Sequence, residues 1–142
     1  MLRKLLLILI VSFLLAACAG TSAPKTAIAL DLTDFAYSPF AVTVAAGQPV
    51  VITLENKGQV EHDFVIEKID AKVTVTKDSG SESHHAHGEE SNFDVHASAQ
   101  VGEITILELT VSEPGTYQFF CSVEGHKEAG MIGELIVIPI EE

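Results

Sequence analysis

Near the C-terminus the chain reads Cys121-Ser-Val-Glu-Gly-His126-Lys-Glu-Ala-Gly-Met131, a thiol, an imidazole and a thioether spaced C-x4-H-x4-M between two strand-like runs. Upstream, His62 opens another apolar run within Val60-Glu-His-Asp-Phe64. Soft sulfur together with borderline imidazole suits copper, and two histidines, one thiolate and a long, weak methionine bond make the trigonal arrangement used for electron transfer. Singly, each residue has an ordinary use. Cys121 could be a small core hydrophobe, Met131 a gap-filler, His126 a turn residue and His62 a strand-end histidine. Taken in this order around one strand-to-strand loop, the four read as one metal site.

Cysteine usage points the same way. The chain has 142 residues and two cysteines. Its start, Met1-Leu-Arg-Lys4 followed by the apolar run Leu5 to Ala17, reads as a targeting segment outside the fold. That run is shorter than the roughly 18 residues that would suggest a membrane span. Leu15-Ala16-Ala17-Cys18 resembles a bacterial lipobox. Residues 1–17 are therefore expected to be a signal peptide, Cys18 the lipidated N-terminus, and 18–26 a small, polar tether. Cys121 is then left single in an exported protein, where an unpaired thiol is a liability unless a metal holds its sulfur.

The formal net charge of −12 becomes about −14 once Arg3 and Lys4 are removed, which excludes nucleic acid as a natural partner and disfavours anionic lipid head groups. A lipid anchor would hold the protein to the membrane, facing the periplasm or the cell exterior. The acidic field would favour a partner with a basic docking face.

What must position the donors is a set of short β-rich runs: Ala27 to Leu32, Ala41 to Val44, Val50 to Asn56, His62 to Ile69, Val73 to Thr76, Ile104 to Val111, Thr116 to Cys121 and Gly133 to Ile138. Turn signals at Ala-Gly-Gln-Pro49, Asn-Lys-Gly58 and Glu-Pro-Gly115 separate them. No long segment has helical periodicity, so the expectation is an all-β, Greek-key β-sandwich over residues 27–142. Alternation puts Tyr117, Phe119 and Cys121 on one strand face and His62, Phe64 and Ile66 on another, aiming thiol and imidazole inward.

These residues resemble the cupredoxins, the type 1 blue copper proteins, most of all the auracyanin, plastocyanin and azurin kind. The specific part lies in His62 and in Pro114-Gly-Thr-Tyr-Gln-Phe-Phe-Cys-Ser-Val-Glu-Gly-His-Lys-Glu-Ala-Gly-Met131. The resemblance implies one type 1 copper per chain, with Nδ1 of His62 and His126 and the Cys121 thiolate in a plane and Met131 axial. It further implies that the residue after the first histidine ties to the residue after the cysteine. Azurin-like relatives carry an amide there and this chain has Asp63, which is expected to accept hydrogen bonds from the Ser122 region. Gly125, Gly130 and Gly133 suit a tight ligand loop. A binuclear site would need a second cysteine where Gly125 stands, and a multicopper oxidase needs several such domains.

The implied function is electron carriage by a membrane-anchored monomer, without enzyme activity. Its partners would be redox proteins such as a c-type cytochrome, a quinol-oxidising complex, a terminal oxidase or a reaction centre. Lys127 and Glu128 directly after His126 suggest a partly charged docking face. A polar insertion at about 77–93 carries His84, His85 and His87, with His96 just beyond. Such a tract either is a solvated loop or forms a weak secondary metal site. It motivates the alternative of copper capture or storage. A metal-free β-sandwich for adhesion or assembly is the third possibility.

Overall fold

A computed structural model describes residues 25–79 and 93–140. The targeting segment, Cys18 and the histidines at 84, 85 and 87 lie outside the described residues. Ten strands follow in order: β1 (Thr26–Thr33), β2 (Ala36–Ser38), β3 (Ala41–Ala45), β4 (Val50–Asn56), β5 (His62–Ile66), β6 (Ala71–Lys77), β7 (Val95–Ala99), β8 (Ile104–Val111), β9 (Gly115–Phe120) and β10 (Ile132–Ile138). There is no helix among the described residues.

Alternation makes the two central strands what they are. Val50, Ile52 and Leu54 of β4 and Leu107, Leu109 and Val111 of β8 point inward at every second position, and antiparallel pairing sets Ile52 opposite Leu107 and Val50 opposite Leu109. A one-residue slip would turn all of them to solvent, so the pattern holds the register. These strands belong to a five-stranded sheet ordered β2-β1-β4-β8-β6, and the second sheet runs β3-β10-β9-β5-β7. The chain changes sheet at each connection from β4 to β9, which is the interleaved path of a Greek-key sandwich. Between the sheets pack Leu30, Leu32, Ile52, Leu54, Leu107 and Leu109 from one side and Phe64, Ile66, Phe119 and Leu135 from the other, all fully buried.

The expected all-β sandwich is present, with differences in detail. Strands β2 and β7 were not among the expected runs. Strand β5 closes at Ile66, and the Ile69 amide instead donates to Asp94 Oδ2 at 2.8 Å. Phe119 and Cys121 are fully buried as the alternation predicts, while Tyr117 is half-buried at the sandwich end, its hydroxyl donating to the Glu113 carbonyl.

Candidate metal centre

Two neighbouring strands of the second sheet carry the upstream donors to one end of the sandwich. His62 opens β5 and Cys121 directly follows β9; the two strands pair at Val65 and Phe120. All five residues of β5 are buried, so the imidazole begins its strand already withdrawn from water. From Cys121 the chain turns through residues 122–131 and re-enters the sheet as β10, which pairs with β9. That loop is laced by its own backbone: the Cys121 amide donates to the Met131 carbonyl at 3.1 Å, Met131 to His126 at 2.9 Å and His126 to Val123 at 3.0 Å. Gly125 (φ 80°) and Gly130 (φ 103°) occupy left-handed conformations that let the loop close so tightly. Gly133 serves packing instead, because a Cβ there would overlap the Phe119 ring.

The loop and β5 bring three donor atoms within 4.8 Å of one another, one each from His62, Cys121 and His126. Cys121 Sγ lies 3.4 Å from His126 Nδ1 and 4.0 Å from His62 Nδ1. Bonds of about 2.0–2.3 Å to nitrogen and sulfur, spread in a plane, would set the donors ~3.5–3.8 Å apart, and the observed pair of distances brackets that range. His62, Cys121 and Met131 are 0% exposed and His126 is 8% exposed. Met131 belongs to the same buried cluster as Cys121. Soft sulfur and two imidazoles in a dry pocket fit copper. Without a metal, burial first and the Asp63 charge second push the Cys121 thiol up to about 12. A metal would therefore have to displace its proton. Burial likewise holds the His62 imidazole below its ordinary pKa, which favours the neutral, ligating form.

Asp63 sits where the reading of its sequence position places it. Its Oδ1 accepts the Ser122 amide at 2.6 Å and its Oδ2 accepts the Ser122 hydroxyl at 2.5 Å, locking the strand of the first histidine to the residue after the cysteine. The opposite neighbour was not foreseen. His96, on β7, brings Nε2 to within 3.2 Å of Asp63 Oδ2 and 3.3 Å of the Ser98 hydroxyl. His96 Nε2 is thus engaged with Asp63, while the other histidines of the expected secondary metal site lie outside the described residues. Burial resists ionisation of Asp63, but bonds from His96 and from both Ser122 groups outweigh it and hold the carboxyl below its usual range. The same bond raises the His96 pKa against the effect of burial. The Tyr37 hydroxyl donates to the Asp63 carbonyl at 2.7 Å, pinning the backbone next to His62.

Two residues with no signal in the sequence also touch the site. The two-residue turn between β1 and β2 places Asp34 Oδ1 3.2 Å from His62 Nε2, and sets the rings of Phe35 and His126 in a T-shaped contact, centroids 5.1 Å apart. Phe35 adopts φ 67°, a left-handed conformation that costs a non-glycine residue roughly 1–2 kcal/mol. The ring contact with His126 is what that strain supports. A hydrogen bond from the Gln59 amide, opposed by burial and assisted by His62, keeps the Asp34 carboxyl below its ordinary pKa. Nothing in the spacing of residues 34 and 62 announces their meeting. Lys127, expected on a charged docking face, folds its ammonium over the Phe120 ring at 3.7 Å and pairs with Glu67 at 3.2 Å.

Comparison with known proteins agrees with this geometry. The family model of the Cupredoxin-like domain matches residues 5–137. The chain is 31% identical over 101 residues to Plastocyanin A/B of Petroselinum crispum, covering 71% of this chain and 86% of that one. It is 30% identical over 101 residues to the copper-resistant cuproprotein CopI of Rubrivivax gelatinosus, covering 71% of this chain and 59% of the length of that protein. Among solved structures, the reduced auracyanin of Roseiflexus castenholzii superposes with a TM-score of 0.59 at 23% identity, covering 82% of this chain and all of that one; at that identity the match speaks for the fold.

Proposed function

We propose a single-electron shuttle for this chain, which belongs to the cupredoxin-like domain family. One observation carries the reading: donor atoms of Cys121, His62 and His126 converge on one buried point, in the same buried cluster as Met131. His62 and His126 through their Nδ1 atoms, the Cys121 thiolate and the Met131 thioether would hold the copper. Bound there, copper supplies a one-electron couple. The chain's part is to hold the donors still, so that little reorganisation accompanies each transfer. Asp63 and Ser122 brace the two strands, and the loop hydrogen bonds set His126 relative to Cys121.

The donors are buried, which suits an electron that passes through a ring edge better than a substrate that must touch the metal. His126 lies nearest the surface, with half-exposed Phe35 against it, and is the proposed portal. The wider reading is an exported protein tethered through Cys18, exchanging electrons with redox proteins such as a c-type cytochrome. Similarity to a copper-resistance protein favours a second reading, copper capture or storage.

Loading residues 19–142 with one equivalent of Cu(II) tests the site. The expected result is an intense visible band with the electron paramagnetic resonance signature of a thiolate-bound copper. A colourless product would return the chain to a metal-free interaction role. Rapid, reversible exchange with a c-type cytochrome by stopped flow supports the shuttle. Tight copper retention with sluggish exchange supports handling instead.

A further inference from the structure

We propose that Asp34 is the positioning residue for His62: its carboxylate accepts the Nε2 proton of that ring, so that Nδ1 is presented bare to the metal with a negative charge standing behind it. The inference rests on the function proposed above and deepens it.

Asp34 Oδ1 lies 3.2 Å from His62 Nε2, and an ionised carboxylate can only accept. A neutral imidazole has one donor nitrogen and one acceptor nitrogen, so an Nε2 that donates leaves Nδ1 unprotonated. Nδ1 is the atom 4.0 Å from Cys121 Sγ. The pairing thereby selects the one tautomer able to ligate from the correct side. A partner on the outer nitrogen is also what fixes ring orientation and raises ligand basicity in metal sites generally.

The surroundings hold Asp34 to this task. It occupies a two-residue hairpin turn, closed by pairing of Thr33 with Ala36. The Gln59 amide donates to the same Oδ1 at 2.9 Å, orienting the carboxylate. The segment that supplies Gln59 is tied down in turn: Lys57 N–H donates to the Leu32 carbonyl, Gly58 N–H to Asn56 Oδ1, and Asn56 Nδ2 to the carbonyls of Val60 and Ala99. Gly58 packs directly over the contact. A Cβ at that position would lie 2.5 Å from both Asp34 Oδ1 and His62 Nε2, so the backbone passes where a side chain would prise the pair apart.

The test compares Asp34→Ala with Asp34→Asn, whose carbonyl keeps the acceptor and drops the charge. In the metal-free, nitrogen-15-labelled protein at about pH 8, above the ordinary imidazole pKa, the His62 ring shifts should report Nε2 protonated in wild type and Asp34→Asn. Asp34→Ala should give a mixture of tautomers. With copper, Asp34→Ala should lose about 10–100-fold in Cu(II) affinity, and Cu(I) affinity should fall less. Each tenfold of that difference raises the one-electron midpoint by about 59 mV. Asp34→Asn should retain the visible spectrum, with the midpoint shifted in the same direction. Unchanged His62 tautomer and Cu(II) affinity within about twofold of wild type in Asp34→Ala would overturn the proposal, as would a tautomer mixture in Asp34→Asn equal to that in Asp34→Ala. A colourless wild-type copper protein would sink the proposed function instead, and the metal-free ring shifts would still decide what Asp34 does.

Discussion

Replacing Asp63 by asparagine removes a negative charge beside the metal site with almost no change of shape. The carboxylate is only 7% exposed, and its acceptor oxygen for the Ser122 amide survives in the amide. A unit charge ~7 Å from the copper position, at an effective dielectric of ~20, stabilises Cu(II) over Cu(I) by about 2 kcal/mol. For one electron that is on the order of 100 mV, an upper bound because water and salt screen it. His96 adds a dependence on pH. Its Nε2 is 3.2 Å from Asp63 Oδ2, and its pKa is raised chiefly by that bond, with Asp78 and Glu61 adding attraction. As pH falls through the His96 pKa the imidazolium offsets the carboxylate, so the wild-type potential rises. The Asp63 carboxyl itself is held below its usual range, so its own titration lies further into acid. Asp63→Asn should therefore raise the midpoint at high pH by up to about 100 mV and, because His96 loses the carboxylate that raises its pKa, should move the pH-dependent rise to lower pH. Spectroelectrochemical titration from about pH 5 to 9 reads both effects around the imidazole range. A midpoint that does not rise at high pH would refute the electrostatic role of Asp63. A pH-dependent rise at the same pH in wild type and Asp63→Asn would refute the part given to His96.

Cys121→Ser should abolish the intense visible band, because a hydroxyl cannot supply the soft thiolate bond, while circular dichroism of the metal-free protein should still report a folded β-sandwich. Met131→Leu should keep copper and colour but raise the potential; an unchanged midpoint would remove the thioether from the ligand set. Phe119→Ala, which empties the space beneath Gly133 and beside Tyr37 and Phe64, should cost about 3–5 kcal/mol in denaturant unfolding. Deleting residues 80–91 while keeping Ser79, whose amide and hydroxyl meet Thr105, should leave the visible spectrum unaltered. Calorimetric stoichiometry before and after the deletion decides whether the histidines there bind metal: one copper per chain in both cases would eliminate a handling role for them.

Much of the molecule is legible in local patterns. Alternating apolar residues announce β4 and β8, because side chains on a pleated strand reach the core only at every second position. The spacing from Cys121 to Met131 could be read as one site because these residues lie on a single loop, where distance along the chain bounds distance in space. Asp63 was legible by adjacency to His62, through the family resemblance. The strands β2 and β7 were not: Ala36–Ser38 has three residues, and Val95–Ala99 carries a histidine and a serine among small residues that give no hydropathic alternation. Their pairings depend on the edges that β1 and β5 offer once folded. The same limit governs the site. His96 stands near a run of histidines in sequence, yet antiparallel pairing of β7 with β5 sets it opposite Val65, beside Asp63. Asp34 and Phe35 reach His62 and His126 from a turn distant in sequence from both. Sequence by itself determined the strands with apolar alternation, the donor types and the tight copper loop, because these follow from local stereochemistry and short spacing. Which groups stand behind the donors, and so which tautomer and charge the metal meets, was decided by the tertiary structure, since only closure of two sheets brings sequence-distant polar groups within hydrogen-bonding reach.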